Sequence, residues 1–177
     1  FVECLQKETG QIFYCATSYI SFLLAEPADF LSDVIYDADM ADVASVQVHI
    51  DGETDLNMEL DSENKQYTVN DIDVAALGTD AVDALTTLYD NLTGLTTSTL
   101  DLTDNVPMEE EPEITLTYNL KDGTTEVITF LAKDKESYYV LRNGEYSGFL
   151  AKRTAFTSRN GILEFYHRLE KTIGMTE

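Results

Sequence analysis

The stretch from Glu113 to Ala151 leaves few folds open, because it carries four strand patterns and two hairpin turns in one run. Ile114, Leu116, Tyr118 and Leu120 alternate with Thr115, Thr117 and Asn119, the period of a strand with one buried face. Lys121-Asp122-Gly123-Thr124 follows, and Asp-Gly predicts a hairpin turn because both residues tolerate positive φ. Val127 to Leu131 predicts the return strand. Ser137 to Leu141, rich in Tyr and Val, predicts a third. Asn143-Gly144 predicts a second turn, and Tyr146 to Ala151 the fourth strand.

The pattern occurs earlier at one constant offset. Asp51-Gly52 falls on Asp122-Gly123, Thr54 on Thr125, Leu56 on Val127, Tyr67 on Tyr138 and Val69 on Val140. At a second offset, Phe13 meets Tyr139, while Ser21, Leu24, Ala25 and Phe30 meet Ser147, Leu150, Ala151 and Phe156. We read a repeated unit, an antiparallel β-meander followed by a helix. The competing reading is that any two meanders align this well. The expected fold is α+β, with helices packed on one face of the sheets. The expected units are 1–41 (the end of a preceding meander-helix unit), 42–106 and 107–177, forming one or two domains.

In chain order, Val2 to Gln6 and Gln11 to Ala16 predict a hairpin around Glu8-Thr9-Gly10. A strand over Tyr19 to Ala25 follows, then a helix opened by Pro27 with Phe30, Leu31, Val34 and Ile35 as its buried stripe. Ala44 to Ile50, Asp55 to Leu60 and Gln66 to Val69 predict the middle strands. Val82, Leu85, Leu88, Tyr89, Leu92 and Leu95 recur at helical spacing, with Thr79 or Asp80 as cap and Gly94 at the end. Thr96 to Leu102 reads as a return to a sheet edge. Asp104 to Pro112 reads as a linker, since it holds two prolines and a charge run. Ile162, Phe165, Tyr166, Leu169 and Ile173 form a last helical stripe, separated by Arg159-Asn160-Gly161 from helix that begins after Ala151.

Charge bounds the function. Acids number 33 and bases 11, a net charge of −22. Such a surface repels nucleic acid and anionic lipid. It favours solubility and can attract cations or basic partners. The chain starts at Phe1, so a signal peptide or membrane anchor is expected ahead of it. Ile12 to Ala25 is uncharged, but it is too short and too polar for a spanning helix, so no direct membrane insertion by this segment is expected. Cys4 and Cys15 face each other if Thr9-Gly10 is a two-residue turn, and a disulfide can then join them. A longer loop over Lys7 to Gly10 breaks that register.

No residue set announces a reaction. His49 sits on a predicted strand and His167 on the last helix, without metal-ligand spacing. Asp37, Asp39 and Asp42 resemble the start of a calcium loop, but Ala41, Asp42 and Val48 fill the positions where that loop needs an oxygen ligand, a glycine and an acid. Asp71 to Asp73 and Glu109 to Glu111 read as solvated turns, with weak divalent-cation binding as the functional alternative. Asn91-Leu92-Thr93 fits the glycosylation pattern but lies in a predicted helix. Tyr138, Tyr139, Tyr146 and Phe149 make an aromatic cluster on adjacent strands. It is a candidate binding face, or ordinary cross-strand packing.

Glu111 to Tyr118, Lys121 to Thr125 and Tyr138-Tyr139-Val140 resemble the bacterial family catalogued as domain of unknown function 4340. Val43 to Ile50, the Asp51-Gly52 turn, Tyr67 to Asn70 and Ala81 to Leu92 are similar to it as well. The resemblance spans about Asp42 to Phe156. It implies an extracytoplasmic protein tethered by an N-terminal helix, with an envelope or membrane protein as partner, and in some members an association with gliding-motility-type ABC transporters. It implies no catalytic residue and no cofactor. The expected function is a non-enzymatic, extracytoplasmic interaction or structural module. The alternatives are a binding module for a glycan, peptide or cation, and a hydrolase using paired carboxylates.

Overall fold

In a computed structural model, residues 1–20, 33–103 and 105–175 are described. The fold is α+β, with two antiparallel sheets and few helices. The chain divides into two units, Phe1–Ser32 and Asp33–Glu177.

The first unit holds β1 (Val2–Gln6) and β2 (Gln11–Cys15), then a single helical turn, α1 (Thr17–Ile20). Val2 pairs with Cys15, Cys4 with Phe13 and Gln6 with Gln11, so Lys7 to Gly10 form a four-residue loop. The two-residue turn is therefore corrected, and Cys4 and Cys15 are not opposite each other; both thiols are free. Gly10 N–H donates to the Gln6 carbonyl at 2.8 Å and Gln11 N–H to Thr9 Oγ1 at 3.3 Å, which closes the longer loop. Tyr19 lies in α1, not at the start of a strand. Ser21 to Ala25, and the helix stripe at Phe30 and Leu31, lie outside the described residues.

The second unit is one nine-stranded sheet. Its strands in chain order are β3 (Val43–Ile50), β4 (Thr54–Asp61), β5 (Gln66–Val69), β6 (Ile72–Asp73), β7 (Thr99–Leu100), β8 (Ile114–Leu120), β9 (Thr125–Ala132), β10 (Ser137–Arg142) and β11 (Glu145–Lys152). Their spatial order is β6-β5-β4-β3-β8-β9-β10-β11-β7. Two meanders thus meet at the β3–β8 pair, where Val46 lies opposite Tyr118 and Val48 opposite Leu116. The helices α2 (Thr79–Thr93) and α4 (Ile162–Ile173) follow the two meanders, and α3 (Thr154–Thr157) leads into α4.

Alternation in the strands selects the buried face. Val46, Val48, Ile50, Leu56, Met58, Ile114, Leu116, Ile128, Phe130, Tyr138 and Val140 share one side by register. They form one core with Leu85, Leu88 and Leu92 of α2 and Tyr166, Leu169 and Ile173 of α4. Both helices therefore cover the same face of the sheet. Tyr118 donates to the Leu92 carbonyl at 3.3 Å, tying the sheet centre to α2.

Several local expectations are corrected. Val34 and Ile35 are extended, not helical: Val34 bridges Thr96, and Ile35 N–H donates to the Leu95 carbonyl at 2.8 Å. Backbone pairing to the segment after α2 wins over their helical spacing. Helix α2 has no side-chain cap, because Gly78 at φ 103 turns the chain into it and places Thr79 and Asp80 inside the first turn. Asn143 (φ 52) and Gly144 (φ 82) both take positive φ, as a two-residue hairpin turn demands. At Asp122-Gly123 only the glycine does, and Gly123 N–H closes a turn on the Leu120 carbonyl. No helix among the described residues is long and apolar enough to cross a membrane.

Candidate functional site

A cleft of about 260 Å³ opens at the end of the sheet where β3, β8 and β10 meet the start of α3 and α4. Its apolar lining is Ile50, at the last position of β3, Ile114, at the first of β8, and Phe156 and Leu163. Asp51 and Glu53, in the turn between β3 and β4, and Thr157 also line it. Within the cleft stand Glu113, Tyr138 and Arg153.

Each of these three is placed by its element. Glu113 precedes β8, and its N–H donates to the Phe130 carbonyl of β9 at 3.1 Å. Tyr138 lies on the core side of β10, with its ring edge-on to Phe130 and Phe156. Arg153 joins β11 to α3, and its guanidinium lies 4.3 Å from the Tyr138 ring centroid. Arg153 Nη1 donates to Glu113 Oε2 at 2.6 Å and Nη2 to Oε1 at 3.1 Å, a bidentate pair. Nη1 also reaches the Tyr138 oxygen at 3.1 Å, and Nε donates to the Asp134 carbonyl at 2.7 Å. The Tyr138 hydroxyl donates to Glu113 Oε2 at 3.1 Å.

The network is closed on itself. Four of the five guanidinium N–H groups of Arg153 are engaged by these bonds. The Arg153 hydrogen bonds hold the Glu113 carboxyl below its ordinary range, and Glu113 raises the Arg153 guanidinium in turn. Burial pushes the Tyr138 hydroxyl up to about 12. At neutral pH the carboxyl is ionised and the hydroxyl protonated, which is the state the hydrogen bonds require. What the cleft offers to a partner is the pair of exposed residues Asp51 and Glu53, whose carboxylates no described hydrogen bond or ion pair engages.

The expected aromatic face is split between the two sides of the sheet. Tyr138 and Phe149 lie on the helix side, Phe149 half-buried opposite Val140. Tyr139 and Tyr146 lie on the other side, edge-on to each other at 5.6 Å. Successive strand residues face opposite ways, so Tyr138 and Tyr139 cannot share a surface. On that far side Leu131, Leu141 and Leu150 are buried apart from the main core. Tyr146 donates to the Asp101 carbonyl at 2.6 Å, and Lys133 pairs with Asp101, so the chain after β7 is fastened there. Gly148 (φ 81) lets it approach: a Cβ there would lie 3.3 Å from Leu102 Cδ2.

His49 is exposed, 2.5 Å from Asp55, and His167 is exposed beside Glu170; they lie on β3 and α4. Asn91 sits within α2 and donates to the Thr87 carbonyl at 2.7 Å. Among the described residues no three His, Cys, Asp or Glu side chains converge to hold a metal. Sequence reasoning missed Arg153, Glu113, Asp51 and Glu53 as neighbours. The one available signal was an arginine, among only 11 bases, placed directly after a strand. No family model matches the chain, and neither a curated protein nor a solved structure does.

Proposed function

We propose that this protein is a non-enzymatic interaction or structural module, built from repeated meander-plus-helix units and working outside the cytoplasm with an envelope or membrane protein as partner. The observation that carries the reading is the closed Glu113–Arg153–Tyr138 network in a cleft also lined by Asp51 and Glu53, whose carboxylates no described hydrogen bond or ion pair engages. Its charged groups satisfy one another and leave a shaped, acidic surface. The extracytoplasmic placement and the ABC-transporter association rest on the resemblance to domain of unknown function 4340.

The repeat reading is supported by position. Asp51-Gly52 and Asp122-Gly123 each occupy the first turn of a meander, and Tyr67 and Val69 on β5 correspond to Tyr138 and Val140 on β10. Each meander is followed by a helix, and the two helices, α2 and α4, lie in contact.

Retention of one membrane-fraction protein by immobilised wild type, and its loss with the D51N/E53Q double variant, supports the module and places its contact at the cleft. Equal retention by wild type and the double variant moves the contact elsewhere. A second reading, a binding module for a cation or basic peptide, is favoured by the Asp51 and Glu53 carboxylates that line the cleft. A saturable rise in melting temperature with calcium or an arginine-containing peptide selects it, because a ligand of the folded state stabilises by mass action.

A further inference from the structure

We propose that Cys4 and Cys15 are a redox-modification site, and that their oxidation slides β1 against β2 by two residues. In the hairpin, Cys4 lies opposite Phe13 and Cys15 opposite Val2. Phe13 and Cys15 alternate onto the same face, so the two thiols are diagonal neighbours on one side of the hairpin. Diagonal Cα atoms lie about 7–8 Å apart. A disulfide takes about 4.4–6.8 Å. The bridge therefore needs backbone movement, and a slip that sets Cys4 opposite Cys15 supplies it.

Three observations make that slip available. A shift of two residues returns every side chain to its own face, so the pattern of faces does not resist it. Among the described residues the sheet has two strands, and no described third strand pins the register. Both thiols are half-buried, within reach of a small oxidant. The slip exchanges the four-residue loop for a two-residue turn at Thr9-Gly10. Gly10 already sits at φ 71, but Thr9 does not have positive φ, and its β-branched side chain opposes that conformation. The reduced chain accordingly holds the longer loop, with Thr9 Oγ1 donating to Gln6 Oε1 at 3.0 Å and Gly10 N–H to the Gln6 carbonyl.

The oxidant is a small-molecule disulfide. One protein thiolate attacks it, releasing one thiol and leaving a mixed disulfide. The second protein thiolate attacks the protein sulfur of that intermediate, releasing the second small thiol. The two cysteines lose two protons and two electrons, and the small disulfide becomes two thiols.

The test is titration of the full chain with oxidised glutathione, read by peptide mass mapping and by cross-strand Hα contacts in NMR. An intramolecular Cys4–Cys15 bridge is expected, with the contact Cys4–Phe13 replaced by Cys4–Cys15 and Leu5–Ile12 by Leu5–Tyr14. The amides of residues 33–175 should stay in place. Asn accepts positive φ where Thr does not, so Thr9→Asn should lower the oxidised glutathione needed for half-conversion by roughly fivefold. A bridge with the Cys4–Phe13 contact intact overturns the slip. Separate glutathione adducts on each thiol overturn the site, and an unchanged titration of Thr9→Asn overturns the role given to the turn.

Discussion

Phe156 sets the scale of what one side chain does here. It is fully buried, with its ring edge-on to Phe130 at 4.9 Å and to Tyr138 at 5.9 Å. Phe156→Ala should destabilise the protein by about 3–5 kcal/mol in urea unfolding, since the cavity opens beside the Phe130 and Tyr138 rings, which the sheet holds in place. Glu113 acts through charge. Its folded-state carboxyl is lowered by Arg153, so its stabilising effect is present above the unfolded carboxylate range and is lost as pH falls through the lowered value. The side chains of the pair are 24% and 39% exposed, and solvent weakens it, so Glu113→Gln should cost only about 1 kcal/mol at neutral pH. That difference from wild type should shrink below about pH 4, checked by thermal unfolding across an acid series. A difference that grows toward low pH would contradict the assignment. None of this was legible at single positions. Glu113, Tyr138 and Arg153 share no local spacing, and only the sheet order brings them together.

At the scale of elements, the link between α3 and α4 depends on a close approach. A Cβ on Gly161 would lie 2.6 Å from the Phe156 carbonyl oxygen and 2.7 Å from its carbon. Gly161→Ala should therefore destabilise by about 1–3 kcal/mol, read as a lowered melting temperature with the strand signal intact. The strands of both meanders were legible because their apolar residues alternate with period two, and α4 because its stripe repeats with helical period. Elements made by pairing rather than pattern were not. Strand β6 spans two residues, and the extended run at Val34 and Ile35 exists only because residues 95–97 pair with it. Turn chemistry was half legible. Asn143-Gly144 takes the conformation its residues suggest, whereas the Asp51-Gly52 turn is closed by Glu53 N–H donating to the Ile50 carbonyl, and the Asp122-Gly123 turn by Gly123 N–H donating to the Leu120 carbonyl. The two Asp-Gly pairs sit at equivalent places in the topology and are closed differently. The hairpin β1–β2 was legible as a hairpin, but its register was not, because both registers give the same faces.

For the molecule as a whole, charge is the dominant long-range force. At −22 the folded chain repels itself. Raising salt from about 0.01 M to about 0.15 M shortens the screening length from about 30 Å to about 8 Å. The melting temperature should rise over that range, and a fall would mean that ion pairs such as Arg142–Glu126 outweigh the repulsion. The order of strands has a kinetic counterpart. Each meander pairs neighbours in sequence, so its hairpins close over short loops. The β3–β8 seam closes over everything between them, including α2 and the segment that follows it. Loop closure of that length is slow to find. The two halves can each organise early and still wait on one encounter, after which the core under both helices is shared. Substitutions at Val46 or Tyr118 should then slow refolding, while those at the outer strands mainly speed unfolding. The seam makes this sheet a timing device: two quickly formed parts become one protein only when their first strands meet.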